Sequence, residues 1–262
     1  MNYKIGFIGM GSMGCALADG FIKKGLAQAS NISAFAPNQD KLKSNSEAIG
    51  FIPKDSLQSL CESSDILIMA CKPDKVKEVL KAAPLTGKAL LSIAAGWDFD
   101  KYQEALAEKI PLQYIMPNTP AKIGKGVFLF EKKNSFDSQM RDFVIKLFRG
   151  LGSVEELESG LMKIGMAISG CGPAFADLMM EAFGDAAVKY GIPRETAYRL
   201  IARTLEGSAA LQAESGLHPG VLKDQVSSPA GTTIVGVSSL EEHGFRNACI
   251  KAIDAIMALN TR

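Results

Sequence analysis

The first stretch of the chain with a chemical consequence is Ile5-Gly6-Phe7-Ile8-Gly9-Met10-Gly11-Ser12-Met13-Gly14. It carries G-x-G-x-x-G at Gly9, Gly11 and Gly14, behind an apolar strand-like run and ahead of a helix-like run with Ala16, Leu17, Phe21 and Ile22. In that setting the first glycine permits a tight turn, the second lets the backbone approach a pyrophosphate, and the third lets the helix pack on the strand. Amides at the helix start then bind phosphates. The candidate contacts are Ile8, Gly9, Met10, Gly11, Ser12, Met13 and Gly14; a glycine-rich turn that binds nothing is the alternative. About 20 residues further on, NAD enzymes often place an acid on the ribose hydroxyls. Here the run is Phe35-Ala36-Pro37-Asn38-Gln39-Asp40-Lys41, with no acid at the strand end. A carboxylate there would repel a 2′-phosphate, so its absence points to NADPH, with NADH tolerated. Ala36 and Asn38 are the candidate contacts and Lys41 adds positive charge, unless Asn38 and Lys41 only start a helix.

Three further segments end strand-like runs, where open α/β sheets bind ligands. They are Met69-Ala70-Cys71-Lys72-Pro73, Ser92-Ile93-Ala94-Ala95-Gly96 and Met116-Pro117-Asn118-Thr119-Pro120-Ala121. Ala70, Cys71, Lys72, Pro73, Ala94, Ala95, Gly96 and Asn118 are therefore candidate cofactor contacts. Each has a plainer reading: Lys72 as a surface lysine, Asn118 as a turn residue between prolines, Cys71 as packing, Trp97 as a wall of the cleft. No Ser-His-Asp set and no carboxylate pair is evident. The two histidines, His218 and His243, lie far from any cysteine cluster, and the five cysteines are scattered without a C-x-x-C pair. Hydrolysis by a nucleophilic triad, a disulfide framework and a metal site are all disfavoured.

Positioning these segments requires a sheet. Short apolar runs at 4–8, 32–35, 66–69, 89–93, 113–116 and 127–130 alternate with helical stretches after Gly11 and at 40–48, 57–62, 74–80 and 99–107. This is the pattern of a doubly wound α/β domain with a parallel sheet covered on both faces. A helix at 137–151 and a short strand at 153–156 close it. Beyond about residue 158 the reading is all helix, at 174–190, from 193 or 194 to 215, and at 245–259. The fold class is thus a Rossmann-type doubly wound sheet, 1–157, followed by an all-helical domain, 158–262. Helix 174–190 is apolar on more than one face, with Phe175, Leu178, Met179, Met180 and Phe183. It is either the centre of its domain or covered by a second subunit.

With 262 residues, 29 basic against 28 acidic and a net charge of +1, nothing favours nucleic acid or an anionic membrane as partner. No apolar run reaches membrane-span length. The first residues lack signal-peptide features, so a cytoplasmic protein is expected.

The most specific segments lie in the helical half: Ser169-Gly170-Cys171-Gly172-Pro173-Ala174-Phe175, and the run from His218-Pro219-Gly220 to Ser228-Pro229-Ala230-Gly231-Thr232-Thr233. With the strand-end segments, in order and spacing from about Lys4 to Ile253, they resemble the pyrroline-5-carboxylate reductase family. The resemblance implies NAD(P)H-dependent reduction of 1-pyrroline-5-carboxylate to L-proline. It also implies a helical domain interleaved with that of a second subunit in an obligate homodimer, which in this family assembles further in some members. It places the substrate carboxylate on the amides of Gly231, Thr232 and Thr233, the Thr233 hydroxyl at the ring nitrogen, and Lys72-Pro73 beside the cofactor. Thr233 and Lys72 are the candidate catalytic residues; water remains an alternative proton donor. Several positions depart from the family pattern. Ala230 replaces a glycine and requires a negative φ to be comfortable. Cys171 and Phe175 replace hydroxyl-bearing residues, and Ala36 replaces a serine near the ribose phosphate. Two other readings are weaker. A β-hydroxyacid dehydrogenase needs a Lys-x-x-x-Asn pair, and 173–190 offers only Lys189. A non-catalytic NADP sensor has no use for Gly231-Thr232-Thr233.

Overall fold

The computed structural model describes residues 3–259. Contacts divide the chain into two compact units that meet in sequence at Gly170 and Cys171.

The first unit is built on one eight-stranded sheet of order β3-β2-β1-β4-β5-β6-β7-β8. The strands are β1 (Ile5–Ile8), β2 (Ile32–Phe35), β3 (Ile52–Pro53), β4 (Ile66–Met69), β5 (Ala89–Ser92), β6 (Leu112–Met116), β7 (Gly126–Glu131) and β8 (Gly152–Leu157). Between them run α1 (Ser12–Lys23), α2 (Gln39–Ile49), α3 (Leu57–Glu62), α4 (Val76–Ala82), α5 (Phe99–Ala105) and α6 (Ser138–Arg149). The strands alternate between two cores. Phe7, Ile66, Ile68 and Leu91 face one side with Leu17 and Phe21 of α1 and Phe148 of α6. Ile8, Leu67, Met69 and Leu90 face the other with Leu60 of α3, Val76 of α4 and Tyr102 of α5. Burial on both faces is why these strands read as continuous apolar runs. Phe148 anchors the first core, with edge-on contacts to Phe21, Phe128 and Phe130 at centroid distances of 5.5, 4.9 and 5.7 Å. Each such ring contributes about 1.5–3 kcal/mol by burial.

Two features depart from the sequence reading. β7 runs antiparallel to β6, with Ile115 opposite Phe130, so the sheet is not wholly parallel. β3 was not expected: it is two residues long, pairs Ser33 with Ile52, and ends in Pro53 on the sheet edge, where the missing amide costs no ladder bond.

A further helix, α7 (Met162–Ser169), belongs to this unit by contact. Met162 is buried against Tyr114 and Leu129. The compact boundary therefore falls after Gly170 rather than at 157/158, where the last strand ends, because α7 packs on the sheet.

The second unit contains α8 (Gly172–Lys189), α9 (Arg194–Ser215), α10 (Pro219–Gln225), α11 (Thr232–Glu242) and α12 (Phe245–Ala258). α8 and α9 form a hairpin, with the Tyr198 ring lying over Gly184: a Cβ there would sit 2.6 Å from Tyr198 Cε1. Arg194 pairs with Asp185 across it. The unit buries little else. Leu178 is 65% exposed, Val235 65% and Ile250 60%. Helix α8 is thus not the centre of a self-sufficient core. No helix among the described residues is long and apolar enough to cross a membrane.

Candidate dinucleotide and substrate sites

The sheet order puts a topological switch between β1 and β4, since β1 is followed by β2 on one side and, later, by β4 on the other. Crevices at such points take ligands. The backbone is tied on both sides: Gly9 N donates to Phe35 O at 2.8 Å and Ala70 N to Ile8 O at 2.9 Å. The three glycines of the loop behave differently. Gly9 has φ +99, and a Cβ on it would lie 2.8 Å from Cys71 N. A Cβ on Gly14 would lie 3.0 Å from Gly9 O, the close helix–strand approach. A Cβ on Gly11 meets nothing within 4 Å. Packing therefore explains Gly9 and Gly14 but not Gly11, whose open face fits a group that the polypeptide does not supply. Gly11 caps α1 without a side-chain bond, and no acid lies in the first turn. Its free amides suit a pyrophosphate.

The other members of this loop are placed less directly. Ile8 and Met10 are buried, so only their backbones face the crevice. Met10 O accepts from Asn45 Nδ2 at 3.4 Å. Ser12 is exposed and Met13 half-buried against the core.

At the end of β2, Ala36 O accepts from Gln39 Nε2 at 2.9 Å, a brace with no sequence signal. Asn38 caps α2, its Oδ1 accepting from Lys41 N at 2.9 Å. The capping role is therefore real, and only Nδ2 is left for a ligand. Lys41 is exposed, and its charge reaches α1, where it partly offsets the burial that raises the Cys15 thiol.

The loop after β4 presents Ala70 and Cys71 half-buried and Lys72 and Pro73 exposed. Burial pushes the Cys71 thiol up to about 11, so it is no thiolate near neutrality and its packing role stands. After β5, Ala94 is buried while Ala95 and Gly96 are exposed. Ala94 N donates to Ser92 Oγ at 3.1 Å, which also pairs with Tyr102 OH at 2.7 Å. Trp97 Nε1 donates to Pro73 O at 3.1 Å, joining the loops after β4 and β5. Trp97 is a wall of this region, as its sequence setting suggested.

Asn118 has a structural role. It is only 6% exposed. Its Nδ2 donates to Ser169 O at 3.0 Å, and its Oδ1 accepts from Val127 N at 2.8 Å. Both ends of the amide are engaged inside the fold, so the side chain positions β7 and α7.

In the helical unit, Ser228-Pro229-Ala230-Gly231 forms a turn in which Gly231 N donates to Ser228 O at 3.0 Å. The Gly231 amide, expected to hold a carboxylate, is thus committed. The amides of Thr232 and Thr233, at the first turn of α11, have no intrahelical acceptor and form the available pair. Ala230 adopts φ +56, against the negative φ expected for it: the turn needs a left-handed residue at its third position, whatever side chain stands there. His218 caps α10, its Nδ1 accepting from Gly220 N at 3.0 Å, which is the structural role read from sequence. Among the described residues, no group of three or more His, Cys, Asp or Glu could hold a metal ion.

Comparison with known proteins agrees with this geometry. Residues 159–261 match the family profile described as pyrroline-5-carboxylate reductase dimerisation, and residues 4–96 match NADP oxidoreductase coenzyme F420-dependent. The chain is 40% identical over 260 residues to a pyrroline-5-carboxylate reductase of Treponema pallidum, covering 97% of this chain and 98% of that one. It is 38% identical over 256 residues to that of Methanosarcina acetivorans, covering 96% and 94%. It is also similar to the crystal structure of Plasmodium falciparum pyrroline carboxylate reductase with NADP bound. That match has a TM-score of 0.88 and 33% identity, and covers 97% of this chain and 95% of the other.

Proposed function

The chain belongs to the pyrroline-5-carboxylate reductase family, and from that premise we propose that it reduces 1-pyrroline-5-carboxylate to L-proline with NADPH, NADH serving as a second donor. The nicotinamide supplies hydride to the iminium carbon when bound; a proton on the ring nitrogen completes the amine. A protonated imine already accepts hydride, so the protein's task is orientation and electrostatics.

The observation that carries the dinucleotide half of this reading is the open face of Gly11 beside uncapped helix amides. The residues assigned to the cofactor are those from Ile8 to Gly14, with Ala36, Asn38, Ala70, Cys71, Lys72, Pro73, Ala94, Ala95 and Gly96. Ile8 and Met10 act through their backbones. Lys72 makes no ion pair among the described residues and sits on the exposed loop after β4, where its charge stands beside the cofactor. In the helical unit, the Thr232 and Thr233 amides hold the substrate carboxylate and the Thr233 hydroxyl reaches the ring nitrogen. By function, residues 1–157 form the dinucleotide domain and 158–262 the substrate and dimerisation domain, with α7 of the latter packed on the sheet unit. The exposed apolar helices support an obligate homodimer, with further assembly of dimers open to it, in the cytoplasm.

The test is NADPH oxidation followed with 1-pyrroline-5-carboxylate, beside 3-hydroxy acids with NADP. Turnover of the imino acid alone is expected; oxidation of a 3-hydroxy acid instead would overturn the assignment. Gly11→Val places a branched side chain where the pyrophosphate belongs and, since nothing of the protein lies there, leaves the fold intact. NADPH binding should be abolished.

A further inference from the structure

Glu131 ends β7 with 0% exposure. Burying a carboxylate carries a desolvation cost that an apolar residue at the same place would avoid, so its contact needs a reason. Oε2 accepts from Phe99 N at 2.8 Å. Phe99 opens α5, whose start is already capped by Asp98. A first-turn amide left to water costs little, so stability alone does not call for a second acceptor. What the contact fixes is the segment just before it, the loop Ala94–Asp98 between β5 and α5. β6 lies between β5 and β7 in the sheet, so the bond ties the loop after β5 to a strand that is not its neighbour in the sheet.

The loop is held from other directions too. Lys101 Nζ donates to Gly96 O at 2.6 Å. Trp97 is fastened to Pro73 and Ala94 to Ser92. At its centre Gly96 has φ +76, and a Cβ on it would meet nothing within 4 Å. Like Gly11, it is an open-faced glycine at the carboxyl edge of the sheet.

We propose that Glu131 is a positioning residue for the dinucleotide: it sets the path of Ala94–Gly96 against the cofactor by anchoring Phe99. This inference rests on the NADPH-binding reading above. The test compares Glu131→Gln, which keeps an acceptor, with Glu131→Leu, which removes it. NADPH affinity is measured by fluorescence titration, and KM and kcat are measured alongside. Glu131→Leu is expected to weaken NADPH binding and raise its KM by about three- to tenfold, the range for one lost hydrogen bond. kcat and the KM for the imino acid should stay within about twofold. Glu131→Gln should bind NADPH within about twofold of wild type. Should Glu131→Leu fail to fold, Lys101→Met removes the exposed clamp on Gly96 and should weaken NADPH binding by at least about threefold; affinity within about twofold of wild type there would overturn the proposal. So would a Leu variant that binds NADPH as wild type does, whatever its melting temperature, or a Gln variant as impaired as Leu. Wild-type protein that binds no NADPH would instead remove the underlying reading.

Discussion

Thr233 is the second residue of α11, so its amide is free and its hydroxyl stands at the head of the helix. Thr233→Ala keeps the amides, and alanine suits a helix at least as well. Only the hydroxyl contact proposed for the ring nitrogen is lost. A bond to a charged group is worth about 1.5–3 kcal/mol, so kcat/KM for the imino acid should fall about ten- to a hundredfold with NADPH affinity unchanged. A fall confined to kcat would place the contact in the transition state; wild-type kinetics would mean the carboxylate loop is misassigned. Three residues earlier, in the turn that leads into α11, Ala230 holds a left-handed backbone. That conformation costs an L-residue about 1–2 kcal/mol, and glycine would relieve it while adding about 0.4–1 kcal/mol of unfolded-state entropy. Ala230→Gly should therefore raise stability, by up to about 1 kcal/mol, seen as a higher urea midpoint at unchanged m-value. A lower midpoint would show that Ala230 is not left-handed in solution.

At the scale of elements, the burial of Glu131 at the end of β7 makes stability depend on pH. Burial raises the Glu131 carboxyl above its ordinary range, aided by Asp98 and Asp100 and opposed by the Phe99 amide and the nearby Ser159 hydroxyl. The folded state then holds a proton that the unfolded state has released, so this group's share of stability falls as pH rises from about 4.3 through the raised value. Glu131→Gln removes that slope. Its stability relative to wild type should be greater at pH 8 than at pH 4, measured by denaturant unfolding at both; an equal difference at the two values would show that Glu131 titrates normally. Nothing in the sequence marks this residue, because an acid ending a strand reads as solvent-facing. The strands β1, β2, β4 and β5 were legible within about a residue, since both of their faces are apolar and glycines punctuate them. β3 was not: two residues carry no period. Nor was the reversed direction of β7, because alternation fixes faces and not polarity. The Gly9–Gly14 loop was legible because its tight turn and close helix approach dictate glycine. The structural partners of Asn118, Val127 and Ser169, were not legible, because they come from elements distant in sequence.

At the scale of the whole molecule, the question is what covers the helical unit. α8 turns Leu178, Phe175 and Phe183 outward, and Leu200, Val235 and Ile250 are exposed on other helices. Exposed apolar surface on this scale marks an interface, and the profile matched by residues 159–261 is one of dimerisation. If a second copy covers α8, Leu178→Glu puts a carboxylate where no partner charge is provided. Nothing within a single chain is disturbed, because Leu178 already faces outward there. In a dry interface, however, an unpaired charge costs several kcal/mol. The variant should run as a monomer or aggregate in size-exclusion chromatography with light scattering and lose turnover of the imino acid. NADPH binding, which depends on the sheet unit, should survive in the soluble fraction. A wild-type protein that is a monodisperse, active monomer, or a Leu178→Glu variant that stays dimeric at wild-type affinity, would place the interface elsewhere.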